Sequence, residues 1–141
     1  MSAGGPVVID ASVALAWCFP DEASDYADRT LLALEGRDMM VPALWAIEVA
    51  NAMLVAERRK RIKPAEIRRF VALLGGLAVV VDAAQVAENV NNVLPLAREY
   101  GLSAYDAAYL DVALRHEASL ASLDVRLQHA GRRAGIEIFS P

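Results

Sequence analysis

The sequence is poor in residues that build disulfides or zinc sites. It contains one cysteine, Cys18, and two histidines. A single cysteine excludes an internal disulfide framework and a cysteine-rich zinc site, and it is typical of a protein from the reducing cytoplasm. Cys18 lies between Trp17 and Phe19 with no basic residue beside it, so we expect its thiol to pack rather than react.

Long hydrophobic runs are also missing. Hydrophobic residues make up 56% of the chain, yet no apolar run approaches the roughly 18 residues that span a bilayer. The leader MSAGGP has neither a basic segment nor a long apolar segment, so we expect no secretory signal. These features predict a soluble cytoplasmic protein without a membrane partner. A length of 141 residues predicts one domain over residues 1–141.

An excess of positive charge is absent as well. The formal net charge is −4, which excludes a protein that coats nucleic acid through its bulk charge. The segment RRKRIKPAEIRR, from Arg58 to Arg69, nevertheless holds seven of the fourteen lysine and arginine residues. The solvated end of a helix explains this block, since cations are favoured there. The alternative is a surface that faces phosphates or an acidic partner.

Short β-branched runs alternate with longer helical patterns. The segments VVID, MMVP, LAVVVD, ASLASLD and IEIFS predict five strands. Strands that alternate with helices predict a three-layer α/β/α sandwich around a central, mostly parallel five-stranded sheet. We expect Gly36 and the pair Gly75–Gly76 to end helices, Pro64 to begin one, and Pro95 to break or kink another.

Several acidic residues stand where a strand gives way to a helix. VVIDASVA and VVVDAAQVA share this pattern, and an aspartate there accepts amide hydrogens of the first helical turn. That role accounts fully for Asp82. Taken alone, Asp10 and Asp124 are also explained as N-caps, and Asp106 as the capping-box partner of Ser103.

Glu48 is not explained by capping. The segment ALWAIEVANAML is apolar almost all round, which is typical of a buried helix. Glu48 and Asn51 are three positions apart and share one face of that helix. Because an ionised carboxylate is not buried without a partner, we expect other groups to meet Glu48.

The partners are expected among acids brought to one edge of the sheet, where strand carboxyl ends and helix amino ends meet. The expected set is Asp10, Glu48, Asp106 and Asp124. Such carboxylates repel one another unless a cation neutralises them. A set made only of oxygen ligands favours Mg²⁺, with Mn²⁺ as the other candidate. Short polar residues near these acids are suited to orient a carboxylate or a water: Ser12, Asn51 and Ser122.

Three other polar residues have simpler interpretations. Asp111 lies about 140° round its helix from Asp106 and four residues before Arg115, so we expect a surface ion pair. His116 and His129 lie near charged helix ends, where solvated or capping roles are expected.

Four segments, VIDASV, PALWAIEVANAM, LSAYDAAYLDVA and LASLDVRL, together resemble the PIN-domain ribonucleases, particularly toxins of the VapC type. The resemblance covers essentially the whole chain, in order and at the expected spacing. Asp82 and Asp111 match no required position, and Ser122 stands where threonine is frequent. The family's acidic quartet matches Asp10, Glu48, Asp106 and Asp124, and its polar helpers match Ser12, Asn51 and Ser122.

The resemblance implies a PIN-like fold and Mg²⁺- or Mn²⁺-dependent cleavage of RNA. Hydrolysis by an activated water would leave 5′-phosphate and 3′-hydroxyl ends. It also implies inhibition by a cognate antitoxin, and members of the family are commonly homodimers. The antitoxin usually carries a DNA-binding domain, so DNA would be contacted only through it.

Functions of other classes fit less well. A receiver-type phosphoacceptor needs a lysine after a late strand, whereas the only lysines are Lys60 and Lys63. A DxD phosphatase has an acid where this chain has Ser12. The remaining alternative is a catalytically silent PIN-like protein-interaction module.

Overall fold

The chain folds into a small parallel sheet with helices packed around it. A computed structural model describes residues 4–141. Residues 1–3 of the leader, where we expect no secretory signal, lie outside the described residues. In chain order the elements are β1 (Val7–Ile9), α1 (Ala11–Cys18), a 3₁₀ turn (Pro20–Glu22), α2 (Asp25–Ala33), β2 (Met39–Pro42), α3 (Leu44–Arg58), α4 (Pro64–Gly75), β3 (Val79–Asp82), α5 (Val86–Tyr100), α6 (Ala104–Arg115), β4 (Ser119–Ala121) and α7 (Val125–Arg133).

The sheet has four strands in the order β3-β2-β1-β4, and every pairing is parallel. The prediction of five strands is therefore wrong. The segment IEIFS contacts β4 through an isolated bridge between Ile138 and Leu120. Two backbone hydrogen bonds accompany this bridge, from Leu120 to Glu137 and from Phe139 to Leu120. The carbonyl of Phe139 accepts instead from the Tyr26 hydroxyl of α2 over 2.7 Å. That contact removes an acceptor from strand pairing.

The strand order reverses at β1, and this reversal positions the helices. The chain proceeds from β1 to β2 to β3 and then returns to β4 on the other side of β1. Right-handed crossovers then place α1 to α4 on one face and α5 and α6 on the other. The contacts agree, because α1 packs with α2, α3 and α4, while α6 packs with α5 and lies against β1, β2 and β4. The three predicted layers follow, with a switch point between β1 and β4, where parallel sheets bind ligands.

Most predicted helix ends are confirmed. Gly36, with φ of +78°, follows α2, and α4 begins at Pro64 and ends at Gly75. Of the two effects predicted for Pro95, a break or a kink, the break does not occur, because α5 continues through Pro95. Pro95 and Asn91, whose carbonyl loses its amide partner, are exposed, so water can satisfy that carbonyl. Within residues 4–141, no helix is both long and apolar enough to cross a bilayer.

Asp82 is not the helix cap predicted from its position. It ends β3, and α5 begins only at Val86. Its carboxylate accepts from Arg115 over 2.5 Å and contacts the His116 ring nitrogen at 2.8 Å. Arg115 also pairs with Asp111 at 3.0 Å, as predicted, but Asp111 is buried rather than on the surface. These contacts tie the edge strand β3 to α6, and His116 itself follows α6 as its C-cap.

Replacing Asp82 by asparagine should destabilise the protein at neutral pH. The Arg115 and His116 contacts lower the pKa of Asp82 from 3.8 to about 2. A lowered folded-state pKa contributes stability that is present above the unfolded-state pKa, near 4, and is lost as the pH falls toward 2. We expect the free energy of unfolding to drop by about 2 kcal/mol at pH 7.

Urea unfolding measured across a pH series tests this prediction. The difference between wild type and Asp82→Asn should shrink as the pH falls below about 4. Asp25→Asn is the matched control, because Asp25 is exposed and lies 3.8 Å from Arg29. Equal stability of Asp82→Asn and wild type at pH 7 would contradict the role assigned to the ion pair.

Candidate active site

Asp10 lies at the switch point, immediately after β1. Its side chain is buried, and it caps α1 by accepting from the backbone amide of Val13 over 3.3 Å. The Ser12 hydroxyl donates to Oδ1 over 2.5 Å. The Ser122 hydroxyl donates to Oδ2, also over 2.5 Å. Both carboxylate oxygens are therefore held in place, and the predicted N-cap is confirmed.

The same two serines attach Asp10 to the loop that follows β4. Ser12 Oγ accepts from the backbone amide of Leu123 over 3.0 Å. Ser122 Oγ accepts from the backbone amide of Asp124 over 2.9 Å. Each hydroxyl thus donates to Asp10 and accepts from the β4–α7 loop, which fixes the ends of β1 and β4 relative to each other.

Asp124 and Asp106 begin two further helices at this edge. Asp124 caps α7 by accepting from the amide of Arg126 over 2.9 Å, and it is exposed. Ser103 caps α6 by accepting from the amide of Asp106 over 3.1 Å. The cap expected at Ser103 is confirmed, and the Asp106 carboxylate is half-buried. Arg126 lies close enough for its charge to oppose the rise in the pKa of Asp106.

Glu48 differs from its predicted setting. The helix α3 is not buried all round, because Ile47 is 72% exposed. Asn51 is also exposed, so the two polar side chains do not converge inside an apolar surface. Glu48 is half-buried, and its partner is the hydroxyl of Tyr109, which donates to Oε1. The partner is therefore a tyrosine rather than another acid.

Tyr109 is a site residue that the sequence analysis missed. It is 2% exposed on α6 and follows Asp106 by three positions, so the two residues share a helical face. A buried tyrosine hydroxyl usually finds a hydrogen-bond partner. That rule could have joined Tyr109 to Glu48, but no local pattern indicates which distant residue the partner is.

The electrostatics of this edge show uncompensated negative charge. Burial, and then the charge of Asp124, raise the pKa of Asp10 to about 6, although the bonds from Ser12, Ser122 and Val13 oppose the rise. Burial and Asp124 likewise raise the pKa of Asp106. Asp124 therefore acts on both neighbours, and Asp10 is protonated more readily than an ordinary aspartate.

Asp10, Asp106 and Asp124 interact at one edge without forming a tight cluster. Glu48 is connected to them through Tyr109. The charge of Asp124 acts on Asp106 and on Asp10. The charges of Glu48 and Asp10 both act on the Tyr109 phenol. Within residues 4–141, no three acidic, histidine or cysteine side chains lie close enough together to hold one metal ion. The chemistry of the donors still fits a hard cation, because all are oxygens and two have raised pKa values. Side chains would have to draw together to bind it.

Arg58 and Arg61 of the basic block lie away from this edge. Arg61 pairs with Asp21 at 2.7 Å, and its guanidinium lies 4.1 Å from the ring centre of Phe19. The other six cations of the block are exposed. Arg58 is ten residues beyond Glu48 on α3, which corresponds to roughly 15 Å along the helix. A solvated helix end, one of the two interpretations, agrees with this position.

Comparison with known proteins assigns the family. A model described as the PIN domain matches residues 7–133. The chain belongs to the PIN-domain family. Ribonuclease VapC3 from Pyrobaculum aerophilum is 29% identical over 121 residues, which cover 86% of this chain and 91% of that protein. The resemblance noted in the sequence is thereby confirmed.

Solved structures agree with this assignment. PAE2754 from Pyrobaculum aerophilum has a TM-score of 0.68 and 26% identity, covering 91% of this PIN-domain chain and 80% of that one. VapBC2 from Rickettsia felis, solved bound to a DNA fragment from its promoter, also has a TM-score of 0.68. Its identity is 10%, with 95% of this chain and 97% of that chain covered, so that likeness concerns the fold alone.

Replacing Asp10 by asparagine should stabilise the metal-free PIN domain at neutral pH. The carboxyl has a pKa of 3.8 when unfolded and about 6 when folded, so its ionisation costs stability as the pH rises between those values. Asparagine is neutral throughout. The shift corresponds to about 3 kcal/mol at pH 7. The asparagine amide nitrogen accepts no hydrogen bond from a serine hydroxyl, which costs about 1 kcal/mol. We therefore expect the free energy of unfolding at pH 7 to rise by about 2 kcal/mol, with no gain near pH 4.

Urea unfolding in the presence of EDTA measures this effect. Asp38→Asn, which removes an exposed acid from the loop before β2, is the matched control and should change little. If Asp10→Asn is less stable than wild type at pH 7, the prediction is wrong. The ionised Asp10 carboxylate would then stabilise the folded protein rather than destabilise it.

Proposed function

We propose that this PIN domain is a metal-dependent endoribonuclease and the toxin of a VapBC-type toxin–antitoxin module. The observation that carries the proposal is the buried Asp10 carboxylate, held by Ser12 and Ser122 at the β1–β4 switch point beside Asp124. A carboxylate of raised pKa in that position is typical of a functional site. The named activity of Ribonuclease VapC3, 29% identical, supports the same conclusion.

The proposed ligands for Mg²⁺ or Mn²⁺ are Asp10, Glu48, Asp106 and Asp124. When bound, such an ion would lower the pKa of a water and neutralise charge at the scissile phosphate. Ser12 and Ser122 keep both oxygens of Asp10 in fixed directions. Asn51 is exposed one helical turn beyond Glu48, so its carboxamide is available to the RNA or to water at the rim of the site.

The chain's own contribution to hydrolysis is positioning and charge. No side chain needs to become covalently attached to RNA, because water is the proposed nucleophile. Attack by water, rather than by the ribose 2′-hydroxyl, leaves a 5′-phosphate and a 3′-hydroxyl. Arg126, exposed beside Asp106 and hydrogen-bonded to the carbonyl of Gly101 over 3.0 Å, is the cation best situated to hold the RNA backbone near the acids.

A cognate antitoxin is the proposed protein partner, and DNA would be reached only through it. An apolar groove of about 420 Å³ between α3 and α4 supports this partner. Trp45 lines the groove, and its buried Nε1 has no hydrogen-bond partner among residues 4–141. The apolar face of an antitoxin helix would fill this groove. A homodimer is also part of the proposal.

Purified protein should cut RNA only when a divalent cation is present. We expect cleavage of total RNA at discrete sites with Mg²⁺ or Mn²⁺, 5′-phosphate ends on the products, and no cleavage with EDTA. Asp10→Asn should lose at least about a hundredfold of the rate, because an amide is a poor ligand for these cations. Asp38→Asn should cleave like wild type.

The same assay identifies the alternative. Equal activity of wild type and Asp10→Asn would mean that a contaminating nuclease is responsible. Absence of cleavage by wild type with both metals would overturn the proposal and favour the catalytically silent PIN-like interaction module.

A further inference from the structure

The bond between Tyr109 and Glu48 joins two elements of the candidate site. Tyr109 is on α6 and Glu48 on α3, and they are 61 residues apart in the chain. The Tyr109 ring is 2% exposed, so its packing allows the hydroxyl little freedom. Among the described residues, no other hydrogen bond to the Glu48 carboxylate is found. Tyr109 therefore determines where this half-buried carboxylate lies.

The helix α6 serves the site twice. It carries Asp106 in its first turn and Tyr109 one turn later. Tyr109 lies close enough to both Glu48 and Asp10 for their charges to act on its phenol. A phenol hydroxyl is protonated at neutral pH, so Tyr109 is a hydrogen-bond donor to Glu48.

We propose that Tyr109 is the positioning residue for Glu48: its hydroxyl holds that carboxylate against α6, the helix that also carries Asp106, and thereby sets the affinity of the site for a divalent cation. The inference rests on the proposed metal-dependent function. The hydrogen bond occupies Oε1 and leaves Oε2 for a cation. Without this hydrogen bond, the half-buried Glu48 side chain would adopt several rotamers. Fixing one rotamer before the cation arrives reduces the conformational entropy lost when the cation binds.

The test is Mn²⁺ binding to RNA-free protein, measured by isothermal titration calorimetry. Tyr109→Phe keeps the buried ring and removes only the hydroxyl, and we expect the Kd for Mn²⁺ to rise about tenfold. Tyr100→Phe is the matched control. Its half-buried ring lies beneath the Arg133 guanidinium, 5.4 Å from the ring centre, and its hydroxyl contacts none of the acids among residues 4–141, so its loss should leave the Kd unchanged.

A double-mutant cycle separates positioning from a general structural effect. If Tyr109 acts through Glu48, the double variant Tyr109→Phe/Glu48→Gln should bind Mn²⁺ no more weakly than Glu48→Gln alone. Additive losses, or an unchanged Kd in Tyr109→Phe, would overturn the inference. Should Tyr109→Phe fail to fold, Glu48→Asp withdraws the carboxylate from Tyr109 by one methylene without altering the core. Binding equal to wild type in that variant would also overturn it.

The outcome is independent of the RNA assay. One outcome is that wild type binds Mn²⁺ but cleaves no RNA, while Tyr109→Phe binds Mn²⁺ more weakly. That outcome would overturn the proposed function and support the positioning role. Wild type that cleaves RNA with metal, together with an unchanged Kd in Tyr109→Phe, would overturn the positioning role alone.

Discussion

The site depends on one buried carboxylate and the two hydroxyl groups that hold it. Asp10 ends the central strand β1, and Ser12 and Ser122 bond its two oxygens while accepting from the loop after β4. These hydrogen bonds join the ends of β1 and β4 at the switch point, with the Asp10 carboxylate between them. Helix α1 is capped by the same carboxylate, so folding and the candidate chemistry use the same atoms.

Burial makes that charge costly, and the surrounding acids increase the cost. The raised pKa values of Asp10 and Asp106 both include repulsion from Asp124. Replacing these acids by neutral residues is expected to stabilise the fold, because nearby like charges and burial both disfavour ionised carboxylates. Asp82 and Asp111 show the opposite arrangement, because both carboxylates pair with the guanidinium of Arg115. These contacts hold β3 to α6.

The fold class could be predicted because it follows from local patterns. Alternating β-branched and helical segments indicated the parallel sheet and the helix layers, and glycine and proline marked most helix ends. The prediction of a fifth strand was wrong because the carbonyl of Phe139 accepts a hydrogen bond from the Tyr26 hydroxyl. Tyr26 lies more than a hundred residues earlier in the chain. The helix cap predicted at Asp82 was wrong for a similar reason. Its carboxylate contacts Arg115 and His116, which lie more than thirty residues away in the sequence.

The helix caps at the candidate site were predicted from the sequence. Strand–helix junctions pointed to Asp10 and Asp124, and their capping bonds are present, while the ligand roles follow from the family resemblance and remain proposals. The partner of Glu48 was out of reach, because only the tertiary fold brings Tyr109 to α3. Periodicity also overstated the burial of α3, since apolar residues such as Ile47 remain exposed.

The central claim is that the acids at the β1–β4 edge form a divalent-cation site. Anomalous diffraction at the manganese edge, from crystals grown with Mn²⁺, tests it most directly. The account predicts an anomalous peak in contact with Asp10 and at least one of Glu48, Asp106 and Asp124, with the side chains drawn toward it. Well-ordered acids without a peak at a saturating Mn²⁺ concentration, or a peak bound only elsewhere, would contradict the account.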